Sequence, residues 1–163
     1  MIFLTVGTLF PFDRLVRSVD LAFDRGLIDE EIIAQIGESS YKPRNFNWVD
    51  SLGKDMFDKR LREASGVISH AGIGTITMAL ENAKSLLVMP RMKLYNEHVN
   101  DHQVATARKF EELGHLLVAY DAKDFPDKIR KLKNFIPRER KVNPKPVADR
   151  IIRFLNNYSS KTG

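Results

Sequence analysis

The stretch Ser69-His70-Ala71-Gly72-Ile73-Gly74-Thr75 combines residue types suited to holding an anion. Two glycines let a backbone approach a diphosphate closely, and the threonine adds a hydroxyl donor. The unpaired N–H groups at a helix start, with the positive end of the helix dipole, attract phosphate. An apolar run precedes the stretch and a helical pattern follows it, which places the turn at the carboxyl end of a strand, where open α/β sheets bind ligands. By spacing alone it equally fits a tight strand-to-helix turn that needs glycine for its own geometry. It is not the dinucleotide fingerprint, because Thr77 stands where the third glycine belongs. Nor is there a Walker A motif, since Gly53-Lys54 is followed by Asp55.

A second cluster, Glu97-His98-Val99-Asn100-Asp101-His102-Gln103, follows the next strand candidate and would reach the same sheet edge. Its Asp101, His102 and Gln103 side chains could hydrogen-bond the hydroxyls of a sugar-like ligand. The plainer reading is a solvated helix start with Asn100 or Asp101 as its cap. His98 and His102 have a spacing that zinc accepts on a helix, but Val99 stands where a zinc hydrolase needs glutamate and no third ligand is apparent, so no metal is expected. Two smaller candidates end strands at the same edge. Gly7-Thr8 could line the cleft, and Arg91 after Pro90 could hold a phosphate or carboxylate, or could be an exposed surface arginine.

Short β-rich runs alternate with helical patterns along the whole chain, the sequence form of βαβ units. The expected fold is α/β, a Rossmann-like three-layer arrangement with a mostly parallel sheet. Strands are expected at Ile2–Val6, Glu31–Gly37, Phe46–Val49, Gly66–His70, Leu86–Met89 and Leu116–Ala119. Helices are expected at Phe12–Phe23, Lys54–Ala64, Thr75–Ala83, Val99–Leu113 and Phe125–Phe135. These make an α/β domain over residues 1–136. Residues 137–163 read as a basic connector, Pro137–Pro146, and a final helix with Val147, Ile151, Phe154 and Leu155 on one stripe, packing on the domain or on a partner.

The chain's 163 residues can bury a core without staples, and the absence of cysteine removes thiol catalysis, Cys-ligated zinc and iron–sulfur chemistry. Its apolar runs fall well short of the roughly 20 residues that span a bilayer, and no signal segment opens the chain. A cytoplasmic protein is expected. The net charge of +5 is uneven: residues 123–163 carry 12 Lys and Arg against 4 Asp and Glu, so the basic excess lies in the tail and not in the candidate site. Such a tail supplies nonspecific nucleic-acid affinity, but it holds no recognition motif or aromatic stripe, and no nucleic-acid partner is expected.

Taken in order, Thr5-Val6-Gly7-Thr8, Ile68 to Thr75 and Asn100-Asp101-His102-Gln103 resemble the C-terminal, nucleotide-sugar-binding half of GT-B glycosyltransferases. The likeness is to free-standing small subunits of two-chain enzymes, of the chitobiosyl-diphosphodolichol synthase and exopolysaccharide glucuronosyltransferase types. It implies that His70, Ala71, Gly72, Gly74 and Thr75 hold the diphosphate of a UDP-sugar. Gln103, with His102 or Asp101, would contact the sugar, and Gly7-Thr8 would face the acceptor half. His70 and Arg91 become candidate stabilisers of the leaving diphosphate, and the general base falls to the partner chain. One departure stands out, since many relatives carry an acidic residue for the ribose where this chain has Met78, leaving that contact open or passed to a residue such as Glu81.

The resemblance further implies a membrane-anchored partner, a lipid-linked acceptor, and membrane association through that partner, with the C-terminal stripe and basic tail meeting a partner helix or acidic lipid. No cofactor is expected beyond the UDP-sugar substrate. An uncovered partner face would permit a homodimer of the isolated chain. The alternative reading is a non-catalytic, nucleotide-binding scaffold subunit.

Overall fold

The computed structural model describes residues 1–139. Six parallel strands run in the order β3-β2-β1-β4-β5-β6, formed by Ile2–Thr5 (β1), Ile32–Gln35 (β2), Asn47–Val49 (β3), Gly66–His70 (β4), Ser85–Met89 (β5) and Leu117–Val118 (β6). The helices are Asp13–Asp24 (α1), Lys54–Glu63 (α2), Ile73–Glu81 (α3), His102–Glu112 (α4) and Phe125–Leu132 (α5). From β1 the chain builds outward to β3 and then returns to lay β4 against the free side of β1. Strand order therefore reverses between β1 and β4, the place where a doubly wound sheet opens a crevice at its carboxyl edge.

Alternation along the strands sorts two cores. Leu4, Ile68, Leu87 and Met89 pack with Leu15, Val16 and Val19 of α1 and with Phe125 and Ile129 of α5. Phe3, Val67, Leu86 and Val88 face the other way, onto Leu61 of α2, Ile76 and Ala79 of α3, and Ala107 of α4. Helices on both faces explain why the central strands read as unbroken apolar runs.

The strands and helices expected within the described residues are all present, with two boundaries displaced at the site. α3 starts at Ile73 rather than Thr75, with extended Gly72 as its N-cap, so Gly74 and Thr75 fall inside the first turn. α4 starts at His102 rather than Val99. Before it, Lys93–Tyr95 form a 3-10 turn and Asn96 takes a left-handed conformation. Side chains claim the intervening backbone: Asn100 Oδ1 accepts from His102 N at 3.2 Å, and Asp101 Oδ1 accepts from Lys93 N at 2.8 Å. Such local bonds compete with helix, and they leave Val99, an apolar residue in the expected pattern, 72% exposed.

The expected C-terminal helix and most of the basic connector lie outside the described residues. Within them, Arg138 N–H donates to Gly114 O at 3.0 Å, fastening residue 138 beside the end of α4. Among the described residues no helix is long and apolar enough to cross a membrane.

Candidate functional site

A cleft of about 660 Å³ opens at the carboxyl ends of the central strands. Gly7 follows β1, Gln35 ends β2, His70 ends β4 and Arg91 follows β5, and all four line it. The N-terminus of α3 faces the same space through Gly72, Ile73, Gly74 and Thr75. No side chain caps that helix end, so its first-turn N–H groups have no side-chain partner of the usual kind. A Cβ added to Gly74 would meet nothing within 4 Å, so the glycine leaves the helix end open to a ligand.

His70 is mostly enclosed, and its Nδ1 is buried with no hydrogen-bond partner. Burial, helped by the nearby Arg91 charge, pushes its pKa down to about 4. The ring is therefore neutral at pH 7 and can meet an anion only as an N–H donor, not as a cation. It also explains two glycines. A Cβ on Gly7 would stand 2.7 Å from His70 Nε2, and one on Gly72 would stand 2.0 Å from Cε1, so the imidazole fills the space both residues leave free.

Arg91 is 3% exposed, contrary to a surface arginine. Its Nη2 donates to Val6 O at 2.7 Å and to Phe10 O at 2.5 Å, and the guanidinium lies 4.8 Å over the Phe12 ring. Nε is buried without a partner. Burial lowers its pKa to about 10, which leaves the charge intact at neutral pH. This fixed positive charge in the cleft wall is a natural complement to a diphosphate.

Thr8 and His102 also line the cleft, as does Gln103, but Gln103 is a buttress as much as a contact. Its Oε1 accepts from Arg91 N at 3.1 Å, and its side chain lies against the His70 ring. Two expected site residues stand apart. Ala71 is buried in the core beside α3, and Asp101 is spent on the backbone of Lys93, so neither lines the cleft. Glu81 is also absent from the lining, whereas Met78 is part of it. Glu97 belongs to the scaffold: its carboxylate takes Arg14 Nε and Nη2, both at 2.8 Å, and Met92 N at 3.0 Å.

Sequence reasoning missed the wall supplied by α2 and the segment before it, where Leu52, Lys54, Phe57 and Asp58 line the cleft. Lys54 and Asp58 pair with each other at 2.9 Å. Gln35 was missed as well, although its place at the end of a strand beside the Gly7 strand was a usable signal. Its Oε1 accepts from Leu52 N at 3.2 Å, tying the α2 wall to the sheet edge. Among the described residues no group of His, Cys, Asp and Glu is arranged to hold a metal ion.

Residues 1–152 match the model of the glycosyltransferase family 28 C-terminal domain. The chain is 33% identical over 125 residues to the human UDP-N-acetylglucosamine transferase subunit ALG13, and 35% identical to that of mouse. These alignments cover 71% and 70% of the chain but only 10% of each relative, so the chain spans about a tenth of their length. Among solved structures, the NMR structure of ALG13 superposes with a TM-score of 0.63 at 22% identity, covering 88% of this chain and 91% of that one. Os79 from O. sativa in complex with UDP superposes with a TM-score of 0.60 at 14% identity, covering 82% of this chain and 32% of that one. With its parallel sheet and its glycine turn at the switch point, the chain belongs to the glycosyltransferase family 28 C-terminal domain family.

Proposed function

We propose that the chain is the donor-binding subunit of a two-chain glycosyltransferase, holding a UDP-sugar while a membrane-anchored partner presents a lipid-linked acceptor. The observation that carries this reading is the convergence of Gly7, His70, Gly72–Thr75 and Arg91 on one cleft beside an uncapped helix end. The relatives named as UDP-N-acetylglucosamine transferase subunits and the fold neighbour bound to UDP support a uridine nucleotide as the ligand. A domain of this kind builds one side of an interdomain cleft, and the relatives named as transferase subunits support a second chain as the other side.

In the reaction, an acceptor hydroxyl attacks the anomeric carbon, the bond from that carbon to the diphosphate oxygen breaks, and UDP departs with the bonding electrons. The hydroxyl proton passes to a base on the partner. This chain's part is to hold the donor and to meet the charge growing on the departing oxygen. The N–H groups of Ile73–Thr75, the α3 dipole and the Arg91 charge supply that, and neutral His70 can add one N–H. The scheme calls for no metal and no cofactor. Through the partner the chain would sit at the cytoplasmic face of a membrane.

Isothermal titration of UDP into the purified chain tests the reading. Wild type should bind, and Gly74→Val should lose at least tenfold in affinity, about 1.4 kcal/mol, because the new side chain stands where a phosphate would approach. Its circular dichroism should not change, since that space is empty of protein. The isolated chain should bind UDP without transferring sugar, and robust turnover by the pure chain would overturn the two-chain reading. Met78 in the cleft wall favours one rival, a scaffold that binds nucleotide without catalysis. UDP-sugar binding with no turnover even beside the partner would select it.

A further inference from the structure

We propose that His70 is a positioning residue that couples the α3 turn to the loop Val6–Phe10, so that seating a nucleoside diphosphate on Gly72–Thr75 sets the loop facing the acceptor. The inference rests on the donor-site reading above and adds a consequence of binding. The ring lies between two backbones at distances no side chain would tolerate: the Cβ positions of Gly7 and Gly72 would be 2.7 and 2.0 Å from its atoms. A shift of the α3 turn toward the ring must therefore move the ring or press it on Gly7. Gly7 has φ +78°, a conformation that leaves no ordinary replacement for it.

The loop is built to show such a push at its middle rather than its ends. Arg91 Nη2 grips the carbonyls of both Val6 and Phe10. The Phe10 ring meets His98 edge-on at 5.3 Å, and His98 in turn meets His102 edge-on at 4.5 Å. Between those anchors Thr8 and Leu9 are exposed, Leu9 at 82%. Nδ1 of His70 has no protein partner, so no hydrogen bond at that atom resists a small tilt of the ring. Beyond the Gln103 side chain, which reaches the imidazole, the ring is held by shape, and shape is what it transmits.

Amide NMR spectra of the full chain, taken at saturating UDP, test the coupling. In wild type the amides of Ile73–Thr75 and those of Gly7–Phe10 should shift together with one dissociation constant. In His70→Ala the turn amides should still shift, while the loop shifts fall by more than half. His70→Phe, which keeps a flat ring in the gap, should restore them, a rescue that a general loss of stability would not produce. Loop shifts absent in wild type beside shifted turn amides would overturn the coupling and leave the donor site standing. Undiminished loop shifts in His70→Ala would mean direct contact with UDP and would overturn it too. Where alanine prevents folding or saturation, His70→Phe decides, because loss of the loop shifts with the ring retained refutes transmission by shape. No shift at any amide in wild type would remove the donor-site reading and the coupling together.

Discussion

The two ends of the sheet treat their polar groups in opposite ways. At the amino end, Glu30 accepts from the Met1 ammonium at 2.8 Å and from the Ser65 hydroxyl, and Asp29 pairs with Lys133 at 2.9 Å. A smaller cavity of about 270 Å³ lies there, and the charged groups around it largely answer one another. At the carboxyl end, His70 Nδ1 and Arg91 Nε are buried and unanswered, the two such side-chain atoms among the described residues, and both residues line the large cleft. A buried polar atom without a partner costs about 1–3 kcal/mol. One end of the sheet is finished by the fold, and the other is left for something else to finish.

Arg91 gives the sharpest way to break that contrast. Arg91→Ala strips two backbone carbonyls of a charged donor and opens a cavity, so urea unfolding should show a loss of about 3 kcal/mol or more. A loss under about 1 kcal/mol would mean that the clamp on Val6 and Phe10 carries no weight. The next effect is on pH dependence. Because burial holds the folded His70 at about 4, below the usual 6.5, the unfolded chain takes up the proton first as pH falls. This contribution to stability is complete above pH 6.5 and drains away as pH drops toward 4, on the order of 3 kcal/mol. Subtracting the His70→Phe profile from wild type should isolate it, and identical slopes would show that the ring is not enclosed.

Gly72→Ala tests the packing against that ring and should cost about 1–3 kcal/mol by overpacking. His70→Ala in the same chain should recover much of the loss, a coupling readable in a double-mutant cycle. Additive losses would separate the two residues. The smallest effect belongs to the amino end. Glu30→Gln should cost about 1 kcal/mol and leave UDP affinity unchanged, because a single partly exposed ion pair contributes little and this one lies at the opposite end of the sheet from the cleft. A change in affinity there would erase the distinction between the two ends.

The carboxyl side of this contrast could be read in part from the sequence. The run Gly66–His70 announced its strand to the residue, because five residues bounded by Ser65 and a glycine turn leave little choice of register. The glycine turn and the polar cluster after β5 were both visible, and so was the edge they share. Three features were not. Val99 extends the apolar pattern of α4 backward although its side chain is exposed, since side-chain bonds from Asn100 and Asp101 make the helix start late and no periodicity reports them. The α2 wall depends on how a helix with one buried residue, Leu61, lies across the sheet, a tertiary fact. The burial of Arg91 runs against the habit of its residue type and becomes legible only when Val6 and Phe10 are seen to need its donors.

Arg14 carries a consequence for how the molecule is made. It sits in the first turn of α1, yet its guanidinium is answered by Glu97, by Pro90 O and by Tyr120 O, the last 106 residues further on. At about 5–20 residues per second, a ribosome takes roughly 5–20 s to travel that distance. β4 and β5, which help to cover the apolar stripe of α1 formed by Leu15, Val16, Val19 and Ala22, are made only partway through that interval. The first helix of the newborn chain is therefore pinned last at its arginine, after the strands it packs on have been made.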